Sequence, residues 1–531
     1  VFLDCSGLPV KIALPLIRHT GIVAGMRCAT ALLLACAIAP TARAVITLDA
    51  NYDNGSLKSY TLTNGTTATP TINLVGRDNY YGSGQWRWVN FTATDLLNKK
   101  PTFKLPTTFA GGSAAITTHP FVYSYDGNTW NFFDNSGVSG SSFVFSNNSN
   151  FTSGTVQIAY AVPYSYGKSV AHAQQVIASP WGAPTLSGNA AGVIGQSTGG
   201  VDDLGRTIAP RDIYAYRITN PAYDLPGRVK KKIVVSTGLH AGETLGTHTY
   251  QGFIDFLIGN DPRAAVLRGV AEIYGYPTLN PDGRFAGYNR TTVANSTVDP
   301  NGMWSPTNWA PTNRKEIKVN GEAMIADVAQ TTAPVNAFID FHSTIPAFPN
   351  EDFGYIEYEQ GDNLAPWWVK FKQLAGTVVD DDSTGTSWTT ANFAEAYLGA
   401  QVDVTFETQF GRRRNVDYYN NLGKTLGIAF YETYKPRDGD ANFDGSVNFD
   451  DLLRVAANYR TNGAGWEGGD FDLNGTTNFD DLLKLAANYN TSAGGFANAL
   501  ALVPEPATLA TLASLTLALR RASRVRRGAT S

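Results

Sequence analysis

The chain reads as a multidomain protein with an N-terminal β-sandwich, a central α/β domain and a small helical module built on a repeated acidic loop. Three observations predict this. Short alternating apolar runs punctuated by Gly, Asn, Ser and Thr fill residues 45–165, the pattern of an all-β sandwich. From residue 166 to 436, β-rich runs alternate with helix-like ones, which implies an α/β domain with functional residues at strand ends. Within 438–492, a loop pattern that begins at Asp440 begins again at Asp470.

The two ends read as addresses rather than fold. Met26-Arg27, the apolar run Ala29 to Ala39, and Ala42-Arg43-Ala44 have the charged start, apolar centre and small-x-small site of a signal peptide. Residues 1–44 are therefore set apart as upstream residues and signal peptide, and an exported chain is expected. At the other end, residues 503–531 begin Val503-Pro504-Glu505-Pro506. An apolar run from Ala507 to Leu519 follows, and then Arg520, Arg521, Arg524, Arg526 and Arg527. The run is short for a stable span, which needs about 20 residues. It resembles the Pro-Glu-Pro sorting signal of Gram-negative bacteria, implying transient membrane contact and an extracellular or envelope location.

Composition narrows the partners. The formal charge of −4 hides four Lys/Arg and one Asp in 1–44 and five Arg in 507–531. The stretch 45–506 keeps 32 basic against 44 acidic residues. No basic stripe is left to neutralise phosphates, so nucleic acid is excluded as a partner and cations are favoured. Cys5, Cys28 and Cys36 all precede residue 45, so a chain starting near Val45 would rely on packing and metals rather than disulfides.

In the β region, Gln85-Trp86-Arg87-Trp88-Val89-Asn90 and Ser142-Phe143-Val144-Phe145 alternate in strand fashion, and a Tyr-Asp-Gly turn lies between aromatic strands at 120–130. These aromatics read as core. In the α/β region, Ile233 to Thr237 is a strand leading into His240, and Glu243 to Ile258 is helix-like. Ala271 to Leu279, Val335 to Phe341 and Val402 to Phe406 read as further strands, and Leu422 to Tyr434 as a closing helix.

Four stretches at or near the ends of these strands carry the chemistry. They are Gly238-Leu239-His240-Ala241-Gly242-Glu243, Asn280-Pro281-Asp282-Gly283, Asp340-Phe341-His342-Ser343 and Thr405-Phe406-Glu407-Thr408. Two His and one Glu can hold a zinc ion with one position open to water, and a further Glu can serve as base. A His-x-x-Glu pair is common by chance, but the ordered set of four is not.

Together the four motifs resemble the zinc carboxypeptidase family over roughly 166–436. The resemblance implies a mixed sheet, His240, Glu243 and His342 as zinc ligands, and Glu407 as the base. It also implies that Arg290, in Gly287-Tyr288-Asn289-Arg290, polarises the scissile carbonyl. The β region, through its Tyr-Ser-Tyr-Asp-Gly run and Ile158 to Tyr166, is similar to the domain that precedes the catalytic domain in cytosolic carboxypeptidases. One departure stands out. The family places Asn-Arg after an Asp to grip the substrate's terminal carboxylate, whereas Asp299-Pro300-Asn301-Gly302 has Gly in the Arg position. Asn301 and, from Asn313-Arg314, Arg314 are the candidate substrate-binding residues. Tyr397 is a weak candidate for the family's substrate-capping Tyr.

The acidic repeat matches an EF-hand-type loop, with oxygen ligands at its first, third, fifth, seventh, ninth and twelfth positions and Gly at the sixth. The first copy offers Asp440, Asn442, Asp444, Ser446, Asn448 and Asp451 around Gly445. The second offers Asp470, Asp472, Asn474, Thr476, Asn478 and Asp481 around Gly475. Calcium is the expected ion. With Asp at the twelfth position and a paired loop-helix arrangement, 438–492 looks like a dockerin domain, which implies a cohesin-like partner. The leading expectation is an exported zinc metallocarboxypeptidase acting on peptides or cell-wall peptide. An amidohydrolase or endopeptidase that needs no free C-terminus, and an inactive peptidase-like binding module recruited through the repeats, stay open.

Overall fold

A computed structural model describes residues 45–77, 88–107, 119–309, 314–329, 333–344, 351–358, 365–381, 388–410 and 412–492. The expected signal peptide and sorting tail lie outside them, as does Asn313. Among the described residues no helix is long and apolar enough to cross a membrane.

The N-terminal region forms two five-stranded sheets. Strands Thr71–Val75, Thr102–Pro106 and Ser142–Ser146 belong to one, and Asn90–Ala93 and Val156–Ala159 to the other. Alternate residues of Thr71–Val75 and Thr102–Pro106 are buried, as a half-covered strand requires. Both sheets contribute to one apolar cluster, in which Phe103 stacks on Phe145 at 5.1 Å and meets Phe91 at 6.2 Å. Each such ring contributes about 1.5–3 kcal/mol by leaving water. The turn aromatics join this packing, Tyr123 lying 5.1 Å from Phe133 and 5.3 Å from Phe151.

An eight-stranded mixed sheet forms the centre of the molecule. Its four middle strands, in the order Ala271–Tyr276, Lys231–Thr237, Val335–Thr344 and Val402–Gln409, run parallel. They are buried along almost their whole length, the condition of a parallel sheet covered on both faces. Antiparallel strands extend it, Tyr216–Ile218 beside Ala271–Tyr276 and Asp352–Tyr358 beside Val402–Gln409. Helices Thr244–Ile258 and Val416–Tyr434 contribute Phe253 and Phe430 to the same core. The parallel register puts Ser236 opposite Asp340 and His342 opposite Glu407.

The C-terminal module holds two loop-helix units, with helices Phe449–Asn458 and Phe479–Asn488. It packs directly on the central domain. Phe443, at the fourth position of the first loop, is buried with its ring 4.4 Å from that of Tyr223 and beneath the Arg228 guanidinium. A Cβ on Gly269 would fall 2.7 Å from the Phe443 ring, so the fit tolerates no side chain there.

Candidate metal centre

The strand Lys231–Thr237 delivers its chain into a tight turn that carries His240 and Glu243. Glu243 occupies the N-cap position of helix Thr244–Ile258 yet makes no side-chain capping bond. Its carboxylate turns inward instead. His240 Nδ1 lies 2.8 Å from Glu243 Oε1, and His342 Nδ1 lies 2.8 Å from Oε2 and 3.1 Å from His240 Nδ1. All three residues are buried. One ligand atom from each can lie within 4.8 Å of the others. Two imidazole nitrogens and one carboxylate are the donor set of a hydrolytic zinc site with an open position, so the residues fit that ion.

Each imidazole is held from behind. His240 Nε2 faces Asp299 Oδ1 at 2.9 Å, and His342 Nε2 faces Asp340 Oδ2 at 2.9 Å. Such carboxylates fix the tautomer and ring direction of a metal-binding His. The sequence reading assigned Asp299 and Asp340 no role. Burial opposes the charge on Asp340 and Asp299, but the facing His groups hold both carboxyls below their usual range, with Arg290 adding to the effect at Asp299. The same balance, with burial opposed by His240 and His342, keeps Glu243 low.

Glu407, opposite His342 in register, is half-buried. Burial, and next the Glu243 carboxylate, pushes it up to about 7. Its buried Oε2 has no hydrogen-bond partner among the described residues. A carboxylate with a spare oxygen beside a metal position has the geometry of a base for water. Arg290 stands at the rim, with Nη1 3.7 Å from Glu243 Oε1 and a forked contact to Asp299 Oδ2 at 2.6 and 2.8 Å.

The second motif explains how Arg290 arrives there. Asn280 accepts from Gly283 N–H and so starts helix Pro281–Ala286, while its Nδ2 reaches the carbonyls of Leu239 and Thr291. The candidate carboxylate grip is less complete. Asn301 Oδ1 accepts from Thr390 N–H at 3.3 Å, and a Cβ on Gly302 would meet nothing within 4 Å. Arg314, at the head of helix Lys315–Val328, contacts Met303 Sδ at 2.8 Å, one residue from Gly302. Tyr397 packs between Trp309 and Phe393, with both rings 5.1 Å away.

The two acidic loops share one wiring. Asp440 accepts from the N–H groups of Asp444 and Gly445, and Asp451 from those of Ala441, Asn442 and Asn448. Asp470 and Asp481 repeat this with Asn474, Gly475, Phe471, Asp472 and Asn478. Asn448 and Asn478 cap the following helices. Burial, and then the Asp451 and Asp444 charges, pushes Asp440 up to about 6 against the pull of Gly445 N–H. Carboxylate oxygens of Asp470, Asp472 and Asp481 lie within 4.8 Å of one another. Ser446 and Thr476 occupy the seventh positions.

Residues 199–381 match the family model for zinc carboxypeptidases. Cytosolic carboxypeptidase 6 of Mus musculus is 27% identical over 254 residues, which are 44% of this chain and 46% of that relative. The chain thus spans about half the length of this curated relative. Among solved structures, a metallo-carboxypeptidase from Burkholderia cenocepacia superposes with a TM-score of 0.58 at 19% identity, covering 74% of this chain and 100% of that one. The metallo-carboxypeptidase from Pseudomonas aeruginosa, in complex with (2-guanidinoethylmercapto)succinic acid, gives 0.54 at 20% identity over 73% and 98%. At these identities the superpositions establish the fold.

Proposed function

Starting from a metallocarboxypeptidase-like hydrolase, we propose that this protein removes C-terminal residues from peptides, or from cell-wall peptide, outside the cytoplasm. One observation carries the reading. The imidazoles of His240 and His342 converge with the Glu243 carboxylate on a single point, and Glu407 stands opposite His342 on the neighbouring strand with an oxygen to spare. Zinc held there would polarise the scissile carbonyl and acidify a water molecule. Glu407 takes the proton from the attacking water and passes it to the leaving amine. The Arg290 guanidinium faces the oxygen that gains charge, a role best filled by a preorganised donor. Asn301 and Arg314 receive the terminal carboxylate, Arg314 reaching from the next helix in place of the Arg that Gly302 lacks.

The test uses a panel of N-blocked peptides with free C-termini. Glu407→Gln should keep its zinc and lose about 10³-fold in kcat, as removal of a general base does. Zinc bound by a wild type that cleaves none of the panel would overturn the reading. A second reading, an endopeptidase or amidohydrolase, is favoured by Gly302 specifically. Equal cleavage of free and amidated C-termini would establish it and dismiss the exopeptidase.

We infer further that the two acidic loops hold calcium, because their buried carboxylates face one another with backbone N–H groups as their main partners. Calorimetric titration of the metal-free chain should find two sites, and no heat would refute them. Export is proposed from the signal-peptide pattern of residues 26–44, and the sorting tail and cohesin-like partner from the resemblances of 503–531 and 438–492. They call for fractionation of cells carrying the full-length chain.

A further inference from the structure

Helix Pro281–Ala286 ends in three successive carbonyls, those of Arg284, Phe285 and Ala286. That of Arg284 accepts a long bond of 3.4 Å from the capping Gly287 N–H, and helix ends leave such groups to outside partners. All three are met by the N-terminal β region. Asn54 Nδ2 donates to Arg284 O at 3.0 Å, and Asn54 N–H donates to Phe285 O at 2.9 Å. Arg77 Nη1 donates to Ala286 O, joined by Arg206 Nη2 at 3.1 Å. Both Asn54 and Arg77 are buried; Asn54 is fixed from its own side, and Arg77 is held by further contacts across the boundary. Trp88 Nε1 and Asn90 Nδ2 donate to the Asn54 carbonyl, while Arg77 pairs with Asp202 and Asp203.

The chain then turns through Gly287, which is left-handed at φ 75° and packs so closely that a Cβ would lie 2.1 Å from Gly55 O. The Arg77 guanidinium sits 5.2 Å over the Tyr288 ring. The next carbonyl, that of Asn289, accepts from Gly242 N–H at 2.8 Å, and Gly242 adjoins Glu243. Arg290 follows. The segment held by the β region thus carries the oxyanion guanidinium and touches the turn that bears two metal ligands.

We propose that Asn54 and Arg77 are positioning residues for Arg290, so that the β region is a working part of the active site rather than an appendage to it. This rests on the role given to Arg290 above. A guanidinium displaced by a fraction of an ångström loses alignment with the transition state while ground-state binding is little changed.

Two variants test it. Asn54 has φ 70°, so Asn54→Gly keeps the backbone comfortable and deletes only the Nδ2 donor. Arg77→Lys keeps the charge beside Asp202 and Asp203 but loses the planar fork that also reaches Ala286 O. With the best-cleaved peptide of the panel, each should lower kcat about 10-fold, with KM within about twofold and one zinc per chain retained. In an Arg290→Ala background the same substitutions should cost less than about twofold, since a group that acts through Arg290 has nothing left to position. Unchanged kcat in either folded variant overturns the proposal, as does an undiminished loss in the Arg290→Ala background or a loss of zinc. Failure of both variants to fold would assign the contacts to stability alone. An Arg290→Ala enzyme as fast as wild type would sink the role of Arg290, a separate failure from that of the brace. A wild type that cleaves nothing removes both.

Discussion

Asp340→Asn probes the metal centre from behind. Asp340 is fully buried and its carboxylate is engaged by His342 Nε2 at 2.9 Å, Ser236 Oγ at 2.8 Å and Thr390 Oγ1 at 2.5 Å. Asn has the same shape and can keep one acceptor on His342, so the fold should survive. What disappears is the charge that makes the imidazole a strong ligand. Losing such a partner costs about 10- to 100-fold in metal affinity, or about 1.4–2.8 kcal/mol. The effect also has a pH signature. Burial works against protonation of His342, but the Asp340 and Glu243 carboxylates override it and hold the metal-free imidazole well above its ordinary value. Protons therefore compete with zinc for this nitrogen. The substitution weakens both competitors, so the gap from wild type should be widest at alkaline pH and should narrow as pH falls. Competition against a chromogenic chelator at several pH values measures it. A zinc affinity within about twofold of wild type at alkaline pH would refute the reasoning.

Other consequences are as open to measurement. Burial, and then the neighbouring Glu316 carboxylate, pushes Asp282 up to about 7; the folded chain keeps this proton after the unfolded chain, with Asp near 3.9, has released it. Stability should fall as pH rises from about 4 to about 7 and then level off, and Glu316→Gln should flatten that slope in denaturant titrations. Phe443→Ala empties the slot against Tyr223 and Gly269 at a cost of about 3–5 kcal/mol, seen as earlier release of the C-terminal module in limited proteolysis. Leu473→Ala, at the matching half-buried position, should cost distinctly less. Gly302→Arg points into open space and should raise the preference for free over amidated C-termini about 10-fold, the worth of one charge-assisted contact. An unchanged ratio would mean that the terminal carboxylate binds elsewhere.

The residues that approach the metal point were legible because each sits at or just beyond a β-rich run, where a parallel sheet exposes its functional edge. Asp340 was legible too, though unread: positions two apart on a strand share a face, and Asp340 and His342 do. Asp299 had no such signal, lying 59 residues from the His240 it supports. Element ends shifted for local reasons. The closing helix starts at Val416 rather than Leu422 because Asn415 caps it, accepting from Tyr418 N–H before the apolar periodicity begins. The strand expected to stop at Phe406 runs on to Gln409, since Glu407 is paired with His342 on one side and Phe353 on the other. The β-region brace joins residues 230 and 209 positions apart, which no window along one chain can register.

The seat of Phe443 between Tyr223 and Gly269 makes the C-terminal module a handle rather than a leash. Its helices turn Phe449, Leu453, Phe479 and Leu483 outward, each more than half exposed. A body that grasped those side chains would fix the heading of the whole enzyme, not merely its whereabouts. Substrate would then have to come to the metal centre, because the metal centre could not swing to meet it.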